Sequence, residues 1–328
     1  MSATSAIPRP ARRRVLVGGA GLATAAFGGV AAFRAMAGAR GLATRTRTGL
    51  AFGTVAALTV AGSDSFALDV ALSDGFAAIR SVEDAASLFQ ATSALNRLNR
   101  AGHLDAPPRH LTTLLHFALD LAAQTGGAFD PTVQPLWPVW ARAAARGARP
   151  DPDALRQAAA QIGWRKVSLM PERIVLEPGT EVTLNALIQG YAADRVMAAL
   201  HSHGITDALV DTGEFGASGS HPDGTPWRLG IADPRAPDIL AAVIAPFIGF
   251  AATSGDYSMS FSPDRVDHHI FDPATGCSPG GVASVTVTAP TGILADGLST
   301  SCMVLGPARG RRLVARHPGC TVHFIDKT

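Results

Sequence analysis

Strand-like and helix-like hydrophobic patterns succeed one another along this chain in no fixed rhythm, and that irregularity restricts the fold more than any other feature. Residues 50–60 are rich in β-formers and read as a strand. Residues 66–89 carry apolar side chains at helical spacing, and residues 111–123 predict another helix. An Asp-Pro-Asp start marks a helix over 151–162, with short strands expected at 167–169 and 174–176. A helix over 190–203 precedes short strands at 208–210, 227–231, 241–244 and 282–288, and a last helix covers about 294–305. The order is neither a strict βαβ alternation nor a strand meander. A single mixed α/β domain of the α+β class is therefore expected, without repeat, long linker or low-complexity tract.

The chain has 328 residues, of which 47% are hydrophobic, enough for one sizeable core. The formal charge of +2 is small, and the 28 Lys and Arg form no basic face, so a nucleic-acid partner is not expected. The three cysteines, Cys277, Cys302 and Cys320, lack CxxC spacing, which argues against a disulfide framework or a thiolate metal cluster.

The N-terminus reads as an address. Arg12-Arg13-Arg14 precedes a weakly apolar stretch over 15–30, and Ala35-Met36-Ala37 offers small residues for cleavage. Residues 1–39 are thus expected to be a twin-arginine export signal and residues 40–328 the mature domain, which predicts a periplasmic protein. Arg34 interrupts the apolar run, so no stable membrane span is expected in the mature chain.

Chemistry concentrates near the C-terminus. In Ala295-Asp296-Gly297-Leu298-Ser299-Thr300, a helix would put Asp296 and Thr300 on one face, where a carboxylate and a hydroxyl converge on one hard cation. Magnesium takes such oxygen ligands and is usually completed by substrate phosphates. The same pair also suits a helix cap and a surface threonine. Two further segments, Thr253-Ser254-Gly255-Asp256-Tyr257 and 268–276, set titratable residues between turn formers. On a strand, His268 and His269 would point to opposite faces, which speaks against joint metal ligation and suits one of them as a base.

These segments belong to an ordered set of blocks: Phe52-Gly53-Thr54, residues 93–99, Gly127-Ala128-Phe129-Asp130-Pro131-Thr132-Val133, then 184–194, 209–219, 227–234, 253–257, 268–276 and 295–300. In that order they resemble the ApbE family, the FAD:protein FMN transferases, over nearly all of the chain after the signal. The resemblance implies Mg²⁺ held by Asp296, Thr300 and a backbone carbonyl near Ala186, with Ser299 at a position where some relatives carry a second carboxylate. It also implies FAD contacts at Phe52, Phe89, Ala128, Phe129, Asp130, Thr183, Gln189 and Phe271. The implied reaction is attack by a Thr or Ser hydroxyl of an acceptor flavoprotein on the FMN phosphorus of FAD, releasing AMP. His269 is the first candidate for the base and Asp256 the second, because an unperturbed imidazole titrates near neutrality.

The chain departs from the commoner pattern at three places. Thr183 and Gln189 are neutral where many relatives are charged, and Glu214 stands where a second glycine is usual. The variants Leu184-Asn185-x-x-x-Gln189-Gly190-Tyr191 and Gly213-Glu214 resemble the branch associated with maturation of nitrous-oxide reductase, which implies a periplasmic FMN-binding domain as acceptor. An FAD pyrophosphatase and a non-catalytic FAD-binding maturation factor remain the alternative expectations.

Overall fold

A computed structural model describes residues 42–327, so the expected export signal lies outside the described residues. The main element is a seven-stranded antiparallel sheet in the order β1-β2-β6-β7-β10-β11-β12. Its strands are β1 (Ala43–Ala51), β2 (Thr54–Gly62), β6 (Asp207–Asp211), β7 (Phe215–Ser218), β10 (Gly249–Gly255), β11 (Val282–Ala289) and β12 (Thr321–Asp326). Two smaller antiparallel sheets join β3 (His103–Asp105), β5 (Arg173–Leu176) and β4 (Val167–Met170), and β8 (Leu229–Ala232) with β9 (Leu240–Ile244).

Seven α-helices occur among the described residues: α1 (Ser65–Ala86), α2 (Ala94–Ala101), α3 (Arg109–Thr125), α4 (Leu136–Ala144), α5 (Pro152–Ala159), α6 (Ile188–Ser202) and α7 (Gly292–Val314). None of them is long and apolar enough to cross a membrane. Helix α1 starts where Asp64 accepts the N–H groups of Phe66 and Ala67, a cap contributing about 1 kcal/mol. Its stripe of Leu68, Leu72, Phe76, Ile79 and Val82 is buried in the main core with α6, α7 and the sheet. The expected mixed α/β architecture is the one observed.

Residues 50–60, read as one strand, are instead the tip of a hairpin. Phe52 and Gly53 both take positive φ, 51° and 75°, which turns the chain between β1 and β2. Without the usual Asn or Asp, the turn is invisible to composition. Strands β7, β10 and β12 also escape the pattern reading: Phe215–Ser218 and Gly249–Gly255 are rich in Gly, Ala and Ser, and it is pairing with neighbours that makes them strands.

Candidate functional site

The site is built where two helices meet at their first turns. Helix α6 begins after Leu187 and helix α7 after Thr291, and neither residue caps its helix through a side chain. The helices cap each other instead. Asp194 of α6 accepts the N–H groups of Gly292 (2.7 Å) and Ile293 (3.0 Å), while Asp296 Oδ2 of α7 accepts the N–H of Gly190 (3.0 Å). Burial raises the Asp194 carboxyl above its ordinary value, and the two N–H groups oppose that rise. A Cβ on Gly190 or Gly292 would overlap the other's carbonyl, so only glycine permits this approach.

That junction gathers oxygen donors. Thr300 lies one turn beyond Asp296 on α7, and its Oγ1 is 3.0 Å from the Ser254 hydroxyl of β10. The Gly190 N–H, turned to Asp296, does not close a helical bond onto the Ala186 carbonyl four residues back. Asp296, Thr300, Ser254 and Ala186 all line one cavity of about 430 Å³. A carboxylate, two hydroxyls and a backbone carbonyl form a hard-oxygen donor set, and the residues present therefore fit Mg²⁺. Ser299 does not reach the cavity. It is buried, donates to the Asp296 carbonyl (2.9 Å) and pairs with Ser254 (2.8 Å), so it supports the site from behind in place of ligating.

Of the residues that the resemblance assigns to FAD, Phe89, Ala128, Phe129, Asp130, Thr183, Gln189 and Phe271 line this cavity. Phe271 stacks on Phe261, with centroids 6.0 Å apart and planes at 10°, and on Trp140 at 6.3 Å, giving a stiff aromatic wall. Asp130 is buried, and burial raises its carboxyl value even though the Thr132 hydroxyl and the N–H groups of Thr132 and Trp164 work the other way. Phe52 departs from expectation. Its side chain sits in the main core, and its N–H donates to Glu83 (2.8 Å). The neighbouring Gly53 leaves room for the Phe89 ring, 3.6 Å from where a Cβ would stand.

The two candidate bases part company. His269 lines the cavity, with Nδ1 3.0 Å from the Met259 carbonyl. Asp256 is fully buried outside it, held by Arg235 through two contacts of 2.8 Å, with Lys327 at 3.6 Å. Its carboxylate is taken up by the guanidinium and does not reach the cavity, so Asp256 is corrected from base to anchor. The histidine pair does point apart as expected, but on an irregular segment with one isolated bridge at His268, not on a strand. His268 is buried. Its imidazole is pushed down to about 4, first by burial and then by the charges of His269 and Lys327.

Several lining residues escaped sequence reasoning. Ser254 and Met259 reach the cavity because of β10 and the segment after it, while Trp137 and Asn185 come from α4 and the turn before α6. Glu214 is the exception, since its unusual place after Gly213 was a visible signal. The structure buries it at the cavity wall, where its Oε2 accepts the Thr253 N–H (3.0 Å).

A family model described as ApbE family matches residues 52–324. The chain is 32% identical over 305 residues to the FAD:protein FMN transferase of Treponema pallidum, covering 85% of this chain and 84% of that one. It is 31% identical over 293 residues to the FAD:protein FMN transferase of Klebsiella pneumoniae, covering 85% and 83%. Among solved structures it matches the ApbE protein of Thermotoga maritima with a TM-score of 0.77 at 27% identity, over 87% of this chain and 94% of that one. The flavin transferase ApbE of Vibrio cholerae matches with a TM-score of 0.75, also at 27% identity, over 88% and 94%. The cavity at the crossing of α6 and α7 is therefore the cavity of a chain that belongs to the ApbE family.

Proposed function

We propose that this chain is a magnesium-dependent FAD:protein FMN transferase that attaches FMN through a phosphoester to a Thr or Ser of an acceptor flavoprotein and releases AMP. The observation that carries this reading is the convergence of Asp296, Thr300 and His269 on one cavity from separate parts of the chain. The names of the relatives agree with it.

Asp296, Thr300 and the Ala186 carbonyl would hold the cation, which when bound neutralises charge on the FAD pyrophosphate. The chain's own residues do the rest. The aromatic wall around Phe271 and the Phe89 and Phe129 rings offer flat apolar surface to the FAD rings, and so restrict the line of attack. The acceptor hydroxyl oxygen forms a bond to the FMN phosphorus as the bridging P–O bond to the AMP half breaks. AMP leaves with that electron pair, and the hydroxyl proton passes to the imidazole of His269.

The finer reading places the protein in the periplasm, exported through the twin-arginine signal over 1–39. It joins the branch associated with nitrous-oxide reductase maturation, with the FMN-binding domain of a membrane electron-transfer flavoprotein as acceptor. Gln189, within Leu184-Asn185-x-x-x-Gln189-Gly190-Tyr191, and Glu214 after Gly213 support that branch. The test incubates purified protein with FAD, Mg²⁺ and such a domain. One AMP released per covalently fluorescent acceptor is expected. Equally fast AMP release without any acceptor would replace transfer by pyrophosphate hydrolysis.

A further inference from the structure

Between β10 and β11 the chain runs from Asp256 to Gly281 without a regular element, yet Met259, His269, Phe271 and Pro273 of this segment all line the cavity. No ladder holds it in place, so its geometry depends on the packing of Phe261 and Phe271 against Trp140 and on polar contacts. At its root, the Asp256 N–H donates to the Ala283 carbonyl (2.9 Å), and the Asp256 carboxylate takes both Arg235 nitrogens at 2.8 Å. Arg235 is itself held in a turn where Asp233 Oδ1 accepts its N–H (2.7 Å). Arg265, midway along the segment, donates to the Pro234 carbonyl (2.9 Å), and its own carbonyl accepts from Lys327 (3.2 Å), which also flanks Asp256. Root and middle of the segment are thus tied to one ion pair whose carboxylate is fully buried.

Within the part so held, one carbonyl faces one histidine. The Met259 oxygen is 3.1 Å from the His269 backbone nitrogen and 3.0 Å from its Nδ1. A carbonyl can only accept, so Nδ1 carries a hydrogen, and in the neutral ring Nε2 is the nitrogen with the lone pair.

We propose that Asp256 and Arg235 form a positioning pair that fixes this segment, so that the Met259 carbonyl selects the Nδ1–H tautomer of His269 and leaves Nε2 to accept the proton of the incoming hydroxyl. The proposal rests on the flavin-transfer reading above. The neutral carbonyl orients the ring much as a carboxylate orients the histidine of a catalytic triad. Replacing Arg235 leaves the fully buried Asp256 with only the Lys327 ammonium at 3.6 Å, and replacing Asp256 removes the acceptor of both Arg235 contacts, so either change loosens the tie on the segment.

The test uses the full chain with Asp256→Asn, Arg235→Met and Arg235→Lys, and reads both the ¹⁵N resonances of His269 and the kinetics with FAD, Mg²⁺ and acceptor. Wild-type His269 should show protonated Nδ1. Asp256→Asn and Arg235→Met should give mixed tautomers and a kcat about tenfold lower or more, with KM for FAD within about threefold. Arg235→Lys, which keeps the charge, should recover part of kcat. Protonated Nε2 in the wild type overturns the proposal. So do variants that keep tautomer and kcat, or that lose kcat and FAD binding in parallel. Should the two charge-breaking variants fail to fold, the wild-type tautomer and Arg235→Lys still decide. A wild type with no flavin transfer whose tautomer is nevertheless disturbed by the variants supports the pair's hold on the ring, and sinks the transfer reading alone.

Discussion

Asp296 and Asp256 are both buried acids at the edge of regular elements, but the molecule uses them in opposite ways. Asp296 stands at the junction of α6 and α7, where it accepts the Gly190 N–H and its carboxylate borders the cavity. Asp256 ends β10 against a guanidinium and an ammonium group, away from the cavity. A carboxylate that borders the cavity is within reach of a cation or substrate, whereas one gripped by a bidentate arginine away from the cavity is not. Burial alone therefore does not mark an active acid; the space it faces does.

The most severe test of this contrast is Asp296→Ala. It should lower flavin transfer by roughly 10²–10³-fold, the size expected when one electrostatic stabiliser of a transition state is removed. The acceptor's covalent fluorescence, measured over a range of Mg²⁺ concentrations, checks it. A wild-type rate would sink the proposed role of Asp296.

A second test probes the other region through pH. Buried His268 resists protonation down to about 4, while in the unfolded chain it binds a proton near 6.5. Its contribution to stability is complete above about 6.5 and is lost as pH falls through that window. The loss approaches about 3 kcal/mol near pH 4. Denaturant titrations at pH 7 and 4.5 should show a steeper fall for the wild type than for His268→Gln. Equal slopes would mean that another group carries the acid limb.

Gly190→Ala separates packing from propensity at the helix junction. Helix propensity alone favours alanine by about 1 kcal/mol. The overlap with the Gly292 carbonyl should reverse the sign, to a net loss of about 1–3 kcal/mol visible as a lower Tm. The smallest effect is expected at Glu214→Gln. The amide oxygen can still accept the Thr253 N–H, so stability should change by less than about 1 kcal/mol in a denaturant titration. A larger loss would place the Glu214 charge among the groups that hold the wall together.

Local patterns carried a good part of the site. Asp296 and Thr300 were legible because four residues on a helix bring side chains to one face whatever surrounds them. Helices α1, α3 and α6 were legible through their apolar spacing. The pairing of Asp256 was not, because Arg235 and Lys327 lie 21 residues before it and 71 after it, and nothing local joins them. Ser299 was misplaced for a related reason: it sits beside Thr300, which does face the cavity, and a shift of one position along a helix exchanges cavity for core. Phe52 was misplaced because the β1–β2 turn sends its ring into the main core.

By itself, then, the amino-acid sequence determined the mixed α/β class, the carboxylate and hydroxyl on one helical face, and the imidazole of His269 as a candidate base. Which acid meets the cavity and which meets an arginine was decided by tertiary structure alone. So was the crossing of α6 and α7 through two glycines, and so was the carbonyl set against His269. Charge type and helical spacing are properties of the chain over a few residues, whereas burial and partner arise only when distant segments exclude water together.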